Sequence, residues 1–134
     1  MYVTEIVEDN WTGNRKHTVR YECDDPAQVA TAVRRLNGKN KTTVIFVSRQ
    51  RRSLTVSGGN DGRYIVYLAV GDDEQFYNLV NVSSRNHELE VVTGGQCGLY
   101  PARRCVNLVV AIQAATQFAE DGSMLKSLTW ECAE

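Results

Sequence analysis

Nucleophilic catalysis near neutral pH needs a base within reach of the nucleophile, and histidine is the usual one. The chain has two, His17 and His87. His17 lies in the polar, basic run Asn14-Arg15-Lys16-His17, and His87 opens a strand-like run between Asn86 and Glu88. Neither has local company of the triad kind, so both read as exposed turn histidines and no catalytic residue is assigned. Acid–base or metal chemistry could also fall to Asp24-Asp25 and Asp72-Asp73-Glu74. The first group is explained as a helix cap and the second as a solvated hairpin turn. Zinc ligands usually come in close pairs, because one tight turn then supplies half a tetrahedron. Cys23, Cys97, Cys105 and Cys132 are instead scattered, with no C-x-x-C or C-x-x-H pair. They read as reduced thiols, most of them buried as small hydrophobes, and neither metal nor cofactor is expected.

Two glycine-rich runs raise the question of phosphate binding. A phosphate loop needs G-x-x-x-x-G-K-[ST] leading into a helix. Ser57-Gly58-Gly59-Asn60-Asp61-Gly62 leads into a strand-like run, and Gly94-Gly95-Gln96-Cys97-Gly98 lacks the lysine and an immediate helix, so both read as loops. Arg49-Gln50-Arg51-Arg52 is the one local basic cluster, with Arg34, Arg35, Lys39 and Lys41 close in sequence. No aromatic residue interleaves to stack bases, so a solvated turn comes first, an acidic protein partner second and nucleic acid third.

The elements that must position these residues are legible from period and punctuation. Residues 2–8 and 18–23 read as strands that could pair as a hairpin, separated by a polar turn over 10–16. Asp24 or Asp25 caps a helix that begins at Pro26 and carries Val29, Val33 and Leu36 on one stripe, with Asn37-Gly38 closing it. Strand-like runs follow over 42–48, 53–56, 63–70, 75–80 and 87–93, and the first and third are apolar on both faces, as in strands covered on two sides. A second helix starts after the capping Asn107 and runs over 108–120, with Leu108, Ile112, Ala115 and Ala119 on one stripe, until Asp121-Gly122 ends it. A last strand over 126–131 carries Leu128 and Trp130 on one face. The expected fold is α+β: a mainly antiparallel sheet of about six to eight strands, one layer, packed on two principal helices.

Bulk properties agree with a small folded unit. The chain has 134 residues, 43% of them hydrophobic and 23% charged, which is enough for one core and places 1–134 as a single domain. A formal net charge of -1 offers no global positive field for nucleic acid or anionic lipid. The N-terminal residues 1–11 match neither a secretory signal nor a transit peptide, and the apolar run 108–112 is far shorter than the roughly 20 residues that span a bilayer. A soluble, cytoplasmic protein is expected, with no direct nucleic-acid or membrane partner.

The runs LTVSGGNDGRYIVYLAVGDDEQFYNLV, LEVVTGGQCGLYPARRCV and AIQAATQFAEDGSMLKSLTWE, in that order, carry a family likeness. The Gly94-Gly95-Gln96 turn, Tyr100-Pro101, a helix with Phe118, Gly122 at its end and Trp130 in the closing strand resemble Imm1, a family of bacterial immunity proteins encoded beside polymorphic toxins. The likeness covers roughly the last 80 residues. It implies a non-enzymatic inhibitor that binds a cognate toxin domain, often a nucleic-acid-directed one such as a deaminase, by occluding its active site. The glycines then supply turns and Phe118 and Trp130 fill the core, with Thr129 and Glu131 facing away from Trp130. Toxin contact is expected from loops and exposed residues on that frame: Arg49, Arg51, Arg52, Asp72, Asp73, Glu74, Arg85, Tyr100, Arg103 and Arg104. The alternative is a small ligand-binding or enzymatic α+β domain, which needs a pocket of converging polar groups.

Overall fold

In a computed structural model the chain is described over residues 1–71, 75–82 and 86–133. The two helices form where caps and apolar stripes coincide. Helix α1, Pro26–Arg35, is capped by Asp25, whose carboxylate accepts from the Ala27 amide, while the Gln28 side chain reaches back to accept from the Asp25 amide. This reciprocal box satisfies two first-turn donors that would otherwise lack partners. Helix α2, Leu108–Asp121, is capped by Asn107, whose side chain accepts from the Val110 amide, and stops at Gly122 in the left-handed conformation. Glycine is required there twice over, because a Cβ at Gly122 would stand 2.6 Å from the Tyr2 ring.

Seven strands form one antiparallel sheet. They are β1 (Val3–Thr12), β2 (Arg15–Glu22), β3 (Thr43–Ser48), β4 (Arg52–Gly58), β5 (Tyr64–Val70), β6 (Gln75–Val80) and, numbered last in the chain, β9 (Thr129–Ala133). The spatial order is β2-β1-β3-β4-β5-β6-β9. Both helices lie on one face, where Phe46, Leu54, Leu68, Leu79, Val33 and Phe118 are almost wholly buried. Trp130 packs its half-buried ring against this core and donates Nε1–H to the Leu125 carbonyl, 3.3 Å away, so Thr129 and Glu131 do face the other side.

That second face is covered only in part, by a two-stranded hairpin of β7 (Glu88–Thr93) and β8 (Gln96–Pro101). Val91 and Cys105 pack on Ile65, with Leu89 and Tyr100 around them. The hairpin tip is tied down by Gly94 N–H to Thr43 Oγ1 at 3.0 Å and Gly95 N–H to Thr42 Oγ1 at 2.9 Å. Gly95 also lies flat on Trp11, where a Cβ would meet the ring at 2.4 Å. At the other end the Asn60 side chain bridges the Glu90 carbonyl and the Val92 amide.

Three expectations need correcting. Residues 10–16 are not a long polar turn: β1 and β2 run on to Thr12 and Arg15, their polar residues lying on an exposed edge hairpin. Residues 96–98 are not loop but the start of β8, paired with β7 from Thr93–Gln96 onward. The first helix ends at Leu36 in extended backbone, and Gly38 takes positive φ two residues later, in a turn closed by hydrogen bonds to the Lys41 carbonyl. The remaining elements lie within a few residues of their expected bounds.

Candidate functional site

On the face away from the helices, register lines up one side chain from every strand of the main sheet: Arg20, Val7, Ile45, Thr55, Tyr67, Asn78 and Glu131. Neighbouring strands stand about 4.8 Å apart, so this row crosses roughly 29 Å of sheet. A parallel row, Thr43, Ser57 and Ile65, lies beside it on the three middle strands, with Thr43 and Ser57 hydroxyls 3.1 Å apart. On the central strand β4 the side chains are short, Thr55 and Ser57, while Ile45 and Tyr67 flank them. The result is an open groove of 420 Å³ along the sheet, walled by Thr93, Gly94, Tyr100 and Arg104. A second hollow of 220 Å³ continues it past the hairpin tip toward Lys16 and Arg20, sharing Thr43, Ile45 and Gly94 with the first.

The polar groups of the groove divide into engaged and open ones. Tyr100 Oη and Thr93 Oγ1 bond each other at 2.7 Å, which stiffens the hairpin wall. The Asp9 carboxylate is fully occupied by the Thr42 and Thr43 amides at 2.8 and 3.0 Å, the Thr42 hydroxyl, and Trp11 Nε1 at 2.8 Å. By contrast the Thr55 hydroxyl, the Tyr67 phenol and the Asn78 amide line the groove with no hydrogen bond among the described residues. Arg103 donates to Glu131 and holds that carboxyl below the ordinary range, with longer-range attraction from both Arg103 and Arg104 adding to it. Arg104 itself is exposed and forms no close ion pair among the described residues.

The ten residues expected at a contact surface separate into groups. Tyr100 and Arg104 come together at the groove wall, and Arg103, next to Arg104 on the 3₁₀ turn Ala102–Arg104 that follows β8, pairs with Glu131. Arg49 and Arg51 are exposed in the β3–β4 turn, at the far end of the sheet from the hairpin tip. Arg52 starts β4, half-buried, and donates to the Gly122 carbonyl at 2.9 Å, tying the end of α2 to the sheet. Five residue steps along β4 separate it from Ser57, about 17 Å at strand rise. Asp72, Asp73, Glu74 and Arg85 lie outside the described residues. What sequence reasoning missed is the groove floor, Thr55, Tyr67 and Asn78. The alternation of β3 and β5 signalled two populated faces, but nothing local identified their cross-strand neighbours.

The groups weighed for chemistry do not converge. His17 is exposed on edge strand β2 and His87 is exposed just before β7. Cys23 and Cys105 are buried, and burial pushes both thiols up in pKa, away from the reactive thiolate; Cys97 and Cys132 are exposed. Among the described residues no three His, Cys, Asp or Glu side chains gather as metal ligands would. No helix among them is long and apolar enough to cross a membrane.

Comparison with known proteins gives this geometry a context. No curated protein matches the chain. The family described as immunity protein Imm1 matches residues 17–132, well beyond the last 80 residues or so that carry the recognisable motifs. With every strand of the main sheet but β1 inside that match in whole or in part, together with both helices and the β7–β8 hairpin, the chain belongs to the Imm1 family of immunity proteins.

Proposed function

We propose that the chain binds and neutralises a cognate polymorphic-toxin domain by blocking the active site of a nucleic-acid-directed toxin such as a deaminase, acting as one domain in the cytoplasm and turning over no substrate. Imm1 membership is the observation that carries this reading. The scattered His and Cys residues support a binder over an enzyme, since a catalytic base needs its nucleophile within hydrogen-bond reach. Contacts are drawn from exposed groups on the rigid sheet: Arg49 and Arg51 in the β3–β4 turn, and Tyr100, Arg103 and Arg104 beside the groove. From the sequence, Asp72, Asp73, Glu74 and Arg85 join them. Arg52 instead ties β4 to the end of α2.

Co-expression with the product of the adjacent reading frame tests the reading. Growth of the host is arrested by that product alone and restored by this chain; growth arrest that persists despite equal expression of both refutes it. The open groove supports a second reading, a small-ligand site, because converging unpartnered polar groups suit a ligand as well as a protein segment. That reading predicts protection against thermal unfolding by a small molecule in the absence of any toxin.

A further inference from the structure

We infer that the groove across the uncovered sheet face receives an extended, carboxylate-bearing segment of the toxin, with Arg104 pairing to the carboxylate and Thr55, Tyr67 and Asn78 hydrogen-bonding along the segment. The inference rests on the reading of the chain as a toxin binder, and it deepens that reading by naming the surface and the chemistry of what it holds.

Thr55 is the sharpest observation. Its residue is only 6% exposed, its hydroxyl lines the groove, and it has no hydrogen-bond partner among the described residues. A hydroxyl at the floor of an open groove with no partner in the protein is satisfied only by what enters the groove, water or a bound segment. Tyr67 and Asn78 stand directly beside it in the same row and are likewise unpartnered. Three donors on successive strands match a chain laid across the sheet, and side chains on the central strand are short enough to admit it.

Charge decides the sign of the occupant. The groove is bounded by Arg104 at the hairpin wall and continues toward Lys16 at its other end. Of the nearby carboxylates, Glu8 is paired with Arg35 and Glu131 with Arg103, while Asp9, held by the neutral donors of Thr42, Thr43 and Trp11, keeps its charge at the Lys16 end. Arg20, the remaining cation of that rim, is held by Glu5 at 3.3 Å. At the hairpin wall an incoming carboxylate therefore meets Arg104, a cation with no close ion pair among the described residues, and an incoming cation meets repulsion there.

The test is the affinity of purified chain for the product of the adjacent reading frame. Arg104→Glu weakens binding by about thirty-fold or more, as loss of a partner from a desolvated charge pair does. Arg104→Lys stays within a few-fold, and Thr55→Val, which keeps the shape and removes the hydroxyl, weakens binding by about ten-fold. Arg34→Glu makes the same charge change on exposed α1 and leaves affinity unaltered. A charge-reversing Asp or Glu to Lys substitution in the toxin restores tight binding to Arg104→Glu. Wild-type affinity in both Arg104→Glu and Thr55→Val overturns the inference while the toxin-binder reading stands. Failure of the wild-type chain to bind at all overturns both.

Discussion

Arg35 grips both oxygens of the Glu8 carboxylate, Nε to Oε1 at 3.0 Å and Nη2 to Oε2 at 2.7 Å, and so fastens α1 to β1. Tyr21 from β2 donates to the same carboxylate, and Lys41 approaches to 3.8 Å. Burial alone would push the Glu8 carboxyl up in pKa; the Arg35 and Tyr21 hydrogen bonds, with the charges of Arg35 and Lys41, outweigh it and hold it below the usual range. Burial and the same carboxylate push the Tyr21 phenol up.

A group whose folded pKa is depressed contributes stability that is present above its unfolded value and lost as pH falls through the folded one. Chemical denaturation should therefore show stability falling as pH drops below the ordinary carboxyl range, and Glu8→Gln should flatten that slope. Arg35→Ala should cost about 2 kcal/mol at neutral pH, less than the roughly 3–5 kcal/mol of a fully buried pair because the guanidinium is partly solvated. Unchanged acid sensitivity in Glu8→Gln would assign the slope to other carboxylates.

The Asp9 carboxylate gathers four donors at the point where the hairpin tip meets the sheet, with Thr42 passing the connection on to Gly95. Asp9→Ala leaves the buried Thr42 amide without its acceptor, and should cost about 2–4 kcal/mol by urea unfolding. Gly95→Ala should loosen the hairpin without comparable global loss, since the strain of an added methyl, at positive φ and against the Trp11 ring, sits at the hairpin tip. Amide exchange that speeds in β7 and β8 but not in α2 is the expected pattern; uniform acceleration would contradict it.

Thiol titration separates the cysteines. Two, Cys97 and Cys132, should react with an aromatic disulfide reagent in the native protein, and Cys23 and Cys105 only after denaturant is added. Four fast thiols in native buffer would show that the packing around Cys105 and beneath α1 is not as described.

The two histidines give a test of inhibitor against enzyme. His17→Ala and His87→Ala, singly and together, should leave toxin neutralisation within about two-fold of wild type, because exposed side chains away from special features rarely matter. A hundred-fold loss in either would place a titrating group in the mechanism.

Caps and periods carried the legible part of the fold. Asp25 with Gln28, and Asn107 with Gly122, announce helix ends through bonds made within four residues, so local sequence suffices. Strand β8 was hidden because Gly98 interrupts Gln96–Pro101 and β-branched residues are lacking there; its pairing depends on β7 and on docking against Trp11 and Ile65. The ends of β1 and β2 were hidden for a different reason: residues 12–20 are exposed on both sides, so no alternation marks them. The groove is the least legible feature. Thr55, Tyr67 and Asn78 become neighbours only through the register of three strands, a non-local fact. Of the residues expected in exposed loops, Tyr100 and Arg104 line that groove, while Arg52 turns inward to Gly122.

The central claim is that this chain neutralises by occupying its partner, and a titration of the toxin's own activity tests it most directly. Purified chain added to a fixed, known amount of the neighbouring frame's product should abolish that activity in a straight line ending at equimolar protein, with both partners recovered intact. Full loss at a small fraction of an equivalent, which means the chain acts repeatedly, or activity that survives a large excess, contradicts it.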